Sequence, residues 1–186
     1  MHKAVFFIAE GFEEVEALTP MDLLKRAGVS VTTVSIHDAL PVTGSHGFTF
    51  LTDICMKDAA SVLSEADLLV LPGGKKGTDN LDASAEVAAA LKKAFADGRF
   101  VGAICAAPSV LGHLGIASGR KVTSYPGFES AFDASTTYLT DRVVTDGNLI
   151  TSRGMGTAYD FGLKLVELLV SKEESDRVAH STMYIY

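Results

Sequence analysis

The chain has no tryptophan, two cysteines, and 16 Lys and Arg against 23 Asp and Glu. Each shortage excludes something. Cys55 and Cys105 cannot build the disulfide framework of a small secreted scaffold. A formal net charge of -7 and a pI near 5.1 argue against nucleic acid or an anionic membrane surface as partner. Lys75-Lys76 and Lys92-Lys93 are too short to form a basic patch and read as solvated surface. No apolar run approaches the ~20 residues needed to span a bilayer. The run 4–9 is short and is followed by Glu10, Glu13 and Glu14, so it reads as a first strand rather than a signal peptide. A cytoplasmic location is the expectation. The phosphate-loop pattern is missing, although Gly74-Lys75-Lys76-Gly77 superficially suggests it. Gly154-Met155-Gly156 leaves the dinucleotide fingerprint incomplete. Histidines 2, 37, 46, 113 and 180 show no metal-ligand spacing. Neither a metal nor a cofactor is expected.

What is present is an ordinary globular composition, 47% hydrophobic and 21% charged over 186 residues. That is enough for one domain, 1–186, with a sizeable core. Residues 3–9 read as a strand. Residues 12–27 read as a helix with Val15, Leu18, Met21, Leu23 and Leu24 on its apolar face and Gly28 closing it. Pro20 is expected to kink that helix or split it. Residues 29–36 form the next strand, so the opening unit is βαβ and the sheet is parallel there. Residues 40–53 read as a small hairpin, 59–66 as a short helix, 67–71 as a strand and 83–96 as a helix. A buried strand at 100–104 leads into Cys105 and a further helix. Residues 121–124 form a short strand, and 142–145 with 149–152 flank the hairpin turn Asp146-Gly147. Helices at 156–170 and 172–179 follow, the second capped by Ser171. The apolar tail 183–186 calls for a packing partner. The expected architecture is α/β, a three-layer sandwich with a mainly parallel sheet.

Cys105 stands between the strand 100–104 and a helix with Pro108 in its first turn. A side chain on so sharp a turn is pushed out of the end of the sheet, and its backbone is strained. Unpaired N–H groups at the helix start favour negative charge. A thiol pKa of about 8.5 falls to roughly 3.5–7.5 in such places. Cys105 is therefore expected to be a thiolate nucleophile or redox centre. The alternative is a buried cysteine that packs like alanine, which is how Cys55 reads. His113 is eight residues further on, about 12 Å along a helix axis, too far to serve as a base.

In open α/β sheets, ligand sites lie at the carboxyl ends of the strands. There this chain carries Glu10 to Glu16, Gly73-Gly74, Cys105, Tyr125-Pro126-Gly127 and Arg153-Gly154-Met155-Gly156. Gly73-Gly74 could aim a backbone N–H into the site and, with the Ala106 N–H, make an oxyanion hole beside Cys105; the alternative is a plain turn after a strand. Glu13 and Glu14 read as ordinary acids at a helix start. Glu16, flanked by Val15, Ala17 and Leu18, reads as partly buried. A buried carboxyl there would have a raised pKa and could hydrogen-bond the sulfur or shuttle a proton.

Four segments carry a resemblance: Glu10 to Ala17, Leu71 to Gly74, Ala103 to Pro108, and Thr151 to Ala158. In order and in register they resemble the signatures of the ThiJ/PfpI superfamily, in the branch holding the parkinsonism-associated protein deglycase and bacterial YajL-like proteins. The resemblance implies a flavodoxin-like sandwich with a nucleophile elbow, and a homodimer whose interface includes the first helix. It implies Cys105 as nucleophile, Glu16 as its protonated partner, and the Gly74 and Ala106 amides as oxyanion donors. Tyr125, Arg153 and Gly154 fall on the rim. The implied activity is cofactor-free glyoxalase or deglycase chemistry on 2-oxoaldehydes such as methylglyoxal, or on their early protein adducts. The alternative is an oxidative-stress sensor or chaperone acting through Cys105 sulfinate. Relatives with glyoxalase or deglycase claims often have histidine where this chain has Tyr125. Ala106 follows the cysteine where the peptidase branch usually has histidine, which ranks amidotransferase-like hydrolase or peptidase activity last.

Overall fold

A computed structural model describes residues 1–184. The central sheet is built by β1 (Lys3–Ile8), β2 (Ser30–Ser35), β5 (Ile54–Cys55), β6 (Leu68–Leu71), β7 (Phe100–Ile104), β10 (Val143–Asp146) and β11 (Leu149–Ser152). Its order is β10-β11-β7-β6-β1-β2-β5. All neighbours pair in parallel except β10 with β11, the hairpin around Asp146-Gly147. The hairpin of β3 (Pro41–Thr43) and β4 (Thr49–Leu51) stands apart as its own small sheet.

A strand covered on both faces is apolar at every position. β1 shows this: Ala4, Phe6 and Ile8 face one core, while Val5 and Phe7 face the other. The first core is closed by α1 (Glu14–Arg26), α6 (Ala158–Leu169) and α7 (Lys172–Ser181), with Leu23, Leu24, Phe161, Leu165 and Val178 inside. Helices α2 (Ala60–Glu65), α3 (Lys75–Ala83), α4 (Ala85–Ala96) and α5 (Pro108–His113) occupy the chain on the other side, where Leu81, Val87, Leu91, Val110 and Leu111 pack. The result is the expected three-layer α/β sandwich. Among the described residues, no helix is long and apolar enough to cross a membrane.

The structure departs from the expectations or adds to them at four points. Pro20 lies inside α1 and does not split it, the helix running from Glu14 to Arg26; tertiary packing of Ala17, Leu23 and Leu24 outweighs the missing N–H. Residues 75–83 form α3, although their sequence shows little apolar periodicity, because Gly77, Thr78 and Leu81 are buried against the fold. The strand β8 (Lys121–Val122) does not join the central sheet; it pairs in parallel with β9 (Thr137–Tyr138). Glu13 and Glu14 stand at the helix start as expected, and both are buried there. Tyr184 of the apolar tail stacks on Tyr159, ring centroids 4.4 Å apart. The rest of that tail, 185–186, lies outside the described residues.

Candidate active site

The site forms where β1, β6, β7 and β11 end. At the end of β7, Cys105 has φ +66°, a region that costs an L residue free energy unless its surroundings fix it. They do so from both sides. The Cys105 N–H donates to the Ser152 carbonyl at 3.0 Å, and its carbonyl accepts from the Tyr125 N–H at 2.8 Å. The chain then turns through Ala106 and Ala107 into α5, with Pro108 at its first position. This is the expected elbow, and it leaves Cys105 half-buried.

Glu16 comes from α1. Glu13 caps that helix, its Oε2 accepting the Glu16 N–H at 2.7 Å. The spacing of a cap and a third residue is legible in sequence, but Glu13 reads there only as an ordinary acid at a helix start. Glu16 is 1% exposed. Its Oε2 accepts the Gly73 N–H at 3.1 Å, and its carboxyl also meets the Met155 N–H and the Cys105 thiol. Gly73 is demanded by crowding: a Cβ there would lie 2.3 Å from Glu16 Oε2 and 2.5 Å from Cys105 Cβ. Gly74 has φ +86°, and a Cβ there would lie 2.4 Å from the Gly11 carbonyl. The N–H groups of Gly74 and Ala106 both reach the Cys105 sulfur.

The electrostatics follow from burial. Desolvation raises Glu16 to about 7, with Glu13 repulsion adding; hydrogen bonds from Cys105, Gly73 and Met155 pull it back. Cys105 is pushed up to about 12, first by burial and then by the Glu16 charge and hydrogen bond, against the Gly74 and Ala106 amides. The expectation of a ready-made thiolate is therefore corrected: beside an ionised Glu16 the sulfur keeps its proton. The two groups titrate as a pair, releasing the first proton near neutral pH.

The rim residues are placed as follows. Tyr125 is 52% exposed, and its ring lies 3.3 Å from where a Gly154 Cβ would stand, with Glu16 Oε1 at 3.8 Å. Arg153 donates its N–H to Thr157 Oγ1 at 3.2 Å, and its Nη1 is buried without a hydrogen-bond partner. His113 is engaged elsewhere, its Nδ1 2.9 Å from Asp82. Cys55 is buried at the sheet edge, away from this rim. Sequence reading missed the Met155 N–H on Glu16, because a backbone donor leaves no side-chain signature. It also missed Glu14, whose oxygens hold Ser45 and His46. Burial of Glu14 is outweighed by those bonds, chiefly the one to the His46 ring, and its pKa falls to about 2. Ligand atoms of Glu13, Glu14 and His46 lie within 4.8 Å of one another, but the Glu14 oxygens are already spent on the 45–46 loop.

A strained cysteine on a strand-to-helix elbow, beside a buried carboxyl and two backbone amides, defines a class of α/β sandwich with its cysteine at the carboxyl ends of the strands. The DJ-1/PfpI family model matches residues 2–168, and the chain belongs to that family. Protein dj-1beta of Drosophila melanogaster is 40% identical over 184 residues, covering 98% of this chain and 97% of the relative. A Pyrococcus abyssi protein named a deglycase is 33% identical over 168 residues, 90% of this chain and 99% of its own. The crystal structure of Drosophila DJ-1beta superposes with a TM-score of 0.94 at 39% identity, covering 100% of this chain and 99% of that one. The structure titled Toxoplasma gondii DJ-1, oxidized, gives 0.93 at 34% identity and covers all of both chains.

Proposed function

We propose that the protein is a cofactor-free enzyme of the glyoxalase or deglycase type, acting on small 2-oxoaldehydes or their early adducts. The observation that carries this reading is the Cys105 thiol hydrogen-bonded to a buried Glu16 that titrates near neutrality. A carboxylate with a pKa near the working pH is suited to accept and return a proton. As Cys105 Sγ bonds to the aldehyde carbon, its proton passes to Glu16 and on to the new hydroxyl oxygen, giving a hemithioacetal. The Gly74 and Ala106 N–H groups stabilise charge at sulfur and the adjacent oxygen. Glu16 then takes the proton from the former aldehyde carbon and delivers it to the neighbouring carbon through an enediolate, while the hydroxyl proton on the first carbon passes to the oxygen on the second, leaving a thioester beside a new hydroxyl. Water hydrolyses the resulting thioester, releasing a 2-hydroxy acid and the thiol. Methylglyoxal would yield lactate. On an early amine or thiol adduct, the adduct's hydroxyl proton would first pass to the departing amine or thiol, freeing the protein group and giving back the aldehyde, on which the same steps would follow.

A homodimer fits this reading. Val15 and Leu18 stand 43% and 45% exposed on α1, beside the helix position that carries Glu16, and Phe48 and Leu51 are 71% and 67% exposed on the neighbouring hairpin. A cytoplasmic setting fits two unpaired cysteines. Lactate formation from methylglyoxal without glutathione tests the enzyme, with Cys105→Ala expected to abolish it.

A second reading, a redox sensor or stress chaperone, rests on the same cradle. The two N–H donors and a protonated Glu16 would also hold sulfinate oxygens, and exposed Tyr125 offers a poor general base. Intact mass after mild peroxide tests it: a two-oxygen adduct lost in Cys105→Ala supports it, and none sinks it.

A further inference from the structure

The turn that gives Glu16 its Met155 N–H is itself held from outside. Residues Met155–Thr157 form a single 3-10 turn between β11 and α6. The Gly156 carbonyl accepts from Arg142 Nη2 at 2.7 Å. Arg142 Nε donates to Asp160 Oδ2 at 2.7 Å, and Nη2 lies 2.6 Å from the same oxygen as an ion pair. The Tyr184 hydroxyl donates to Asp160 Oδ1 and also meets Arg142, while its ring stacks on Tyr159. The Arg142 backbone joins the same knot. Its carbonyl accepts from Ser152 Oγ at 2.7 Å, and Ser152 Oγ is 2.7 Å from Thr157 Oγ1, which holds the Arg153 and Gly154 N–H groups. Elements distant in sequence thus converge on one turn, and the turn ends at the buried carboxyl.

We propose that Arg142, clamped by Asp160 and Tyr184, is a positioning residue that holds the Met155–Thr157 turn so that the Met155 N–H stays on Glu16. The inference deepens the reading of Glu16 as proton carrier and rests on it. Facing the carboxyl are the Cys105 thiol from the elbow and Glu13 from the cap of α1. The clamp adds Arg142, Asp160 and Tyr184, none of which touches the carboxyl in the contacts described. Releasing the turn removes a donor that favours ionised Glu16. The pair's first proton is then lost at higher pH, and in the singly protonated pair more of the proton sits on carboxyl and less on sulfur.

The test is the rate of Cys105 alkylation by iodoacetamide against pH, in the whole protein. In Arg142→Met the midpoint of the first rise should move up by about one pH unit, the effect of one hydrogen bond to a charged group. The plateau above it should be roughly tenfold faster, with rates below the midpoint unchanged. Tyr184→Phe, which keeps the stacked ring and loses the hydroxyl, should move both in the same direction by less. Arg120→Met, which removes a comparable ion pair with Asp146, serves as control and should move neither. An unmoved midpoint in Arg142→Met and Tyr184→Phe overturns the proposal, as does an equal shift in the control. Alkylation needs no turnover. Variants that shift as described, beside a wild type that makes no lactate, would sink the aldehyde reading and leave the clamp standing.

Discussion

Replacing Glu16 by Gln should make Cys105 more reactive and the protein less active. Glutamine keeps the shape and the hydrogen-bonding reach of Glu16 and removes its charge. The sulfur, pushed up to about 12, owes part of that rise to the carboxylate beside it. Two unit charges about 4 Å apart repel by about 4 kcal/mol at an effective dielectric of about 20, which is about three pH units. With the Gly74 and Ala106 amides left to offset the burial, the thiol of Glu16→Gln should titrate at about 9 by that arithmetic. In wild type, a pair whose first proton leaves near 7 keeps only about 1% of the sulfur as thiolate between the two ionisations, by the same arithmetic. Alkylation at pH 9 should thus be faster in Glu16→Gln by a factor on the order of fifty. Lactate formation should fall by at least about a hundredfold, because glutamine cannot carry the proton between carbons. Stopped-flow alkylation and lactate assays on one preparation decide the matter. Alkylation no faster than wild type would refute the claim that the Glu16 charge faces the thiol.

Other outcomes follow from the same geometry. The kcat/KM for a 2-oxoaldehyde should rise with pH through a midpoint near 7, where Glu16 ionises; a flat profile from pH 5.5 to 8.5 would contradict the assignment. Gly73→Ala should abolish turnover and cost about 1–3 kcal/mol in urea unfolding, since its methyl would collide with both Glu16 and Cys105. Glu14→Gln should cost up to about 3 kcal/mol at pH 7. The folded pKa near 2 lies below the ordinary 4.5, so that stability is full above 4.5 and the gap between variant and wild type should narrow as pH falls toward 2.

Much of this molecule is legible in its sequence, and the gaps have physical causes. The buried strands, the βαβ opening, the Asp146-Gly147 hairpin and the Cys105 elbow follow from apolar runs and turn residues, which are local signals. The helix α3 escaped because its burial comes from glycine and threonine at Gly77 and Thr78 rather than from an apolar stripe. Pro20 does not split α1 because packing on both sides of it overrides the local rule. The position of Glu16 beside Cys105 could be argued from strand ends, but the ionisation of the pair could not. The helix start favours a thiolate, burial and a neighbouring carboxylate oppose it, and only the folded distances say which wins. The Met155 donor and the Arg142 clamp lie further out of reach, being a backbone N–H and a network drawn from residues 142 to 184.

The most direct test is a time course of lactate from methylglyoxal, without glutathione, for wild type, Cys105→Ala and Glu16→Gln. The account predicts many turnovers in wild type, none in Cys105→Ala, and almost none in Glu16→Gln despite its faster alkylation. Aldehyde consumed once per subunit with no lactate, or lactate formed equally by all three proteins, would contradict it.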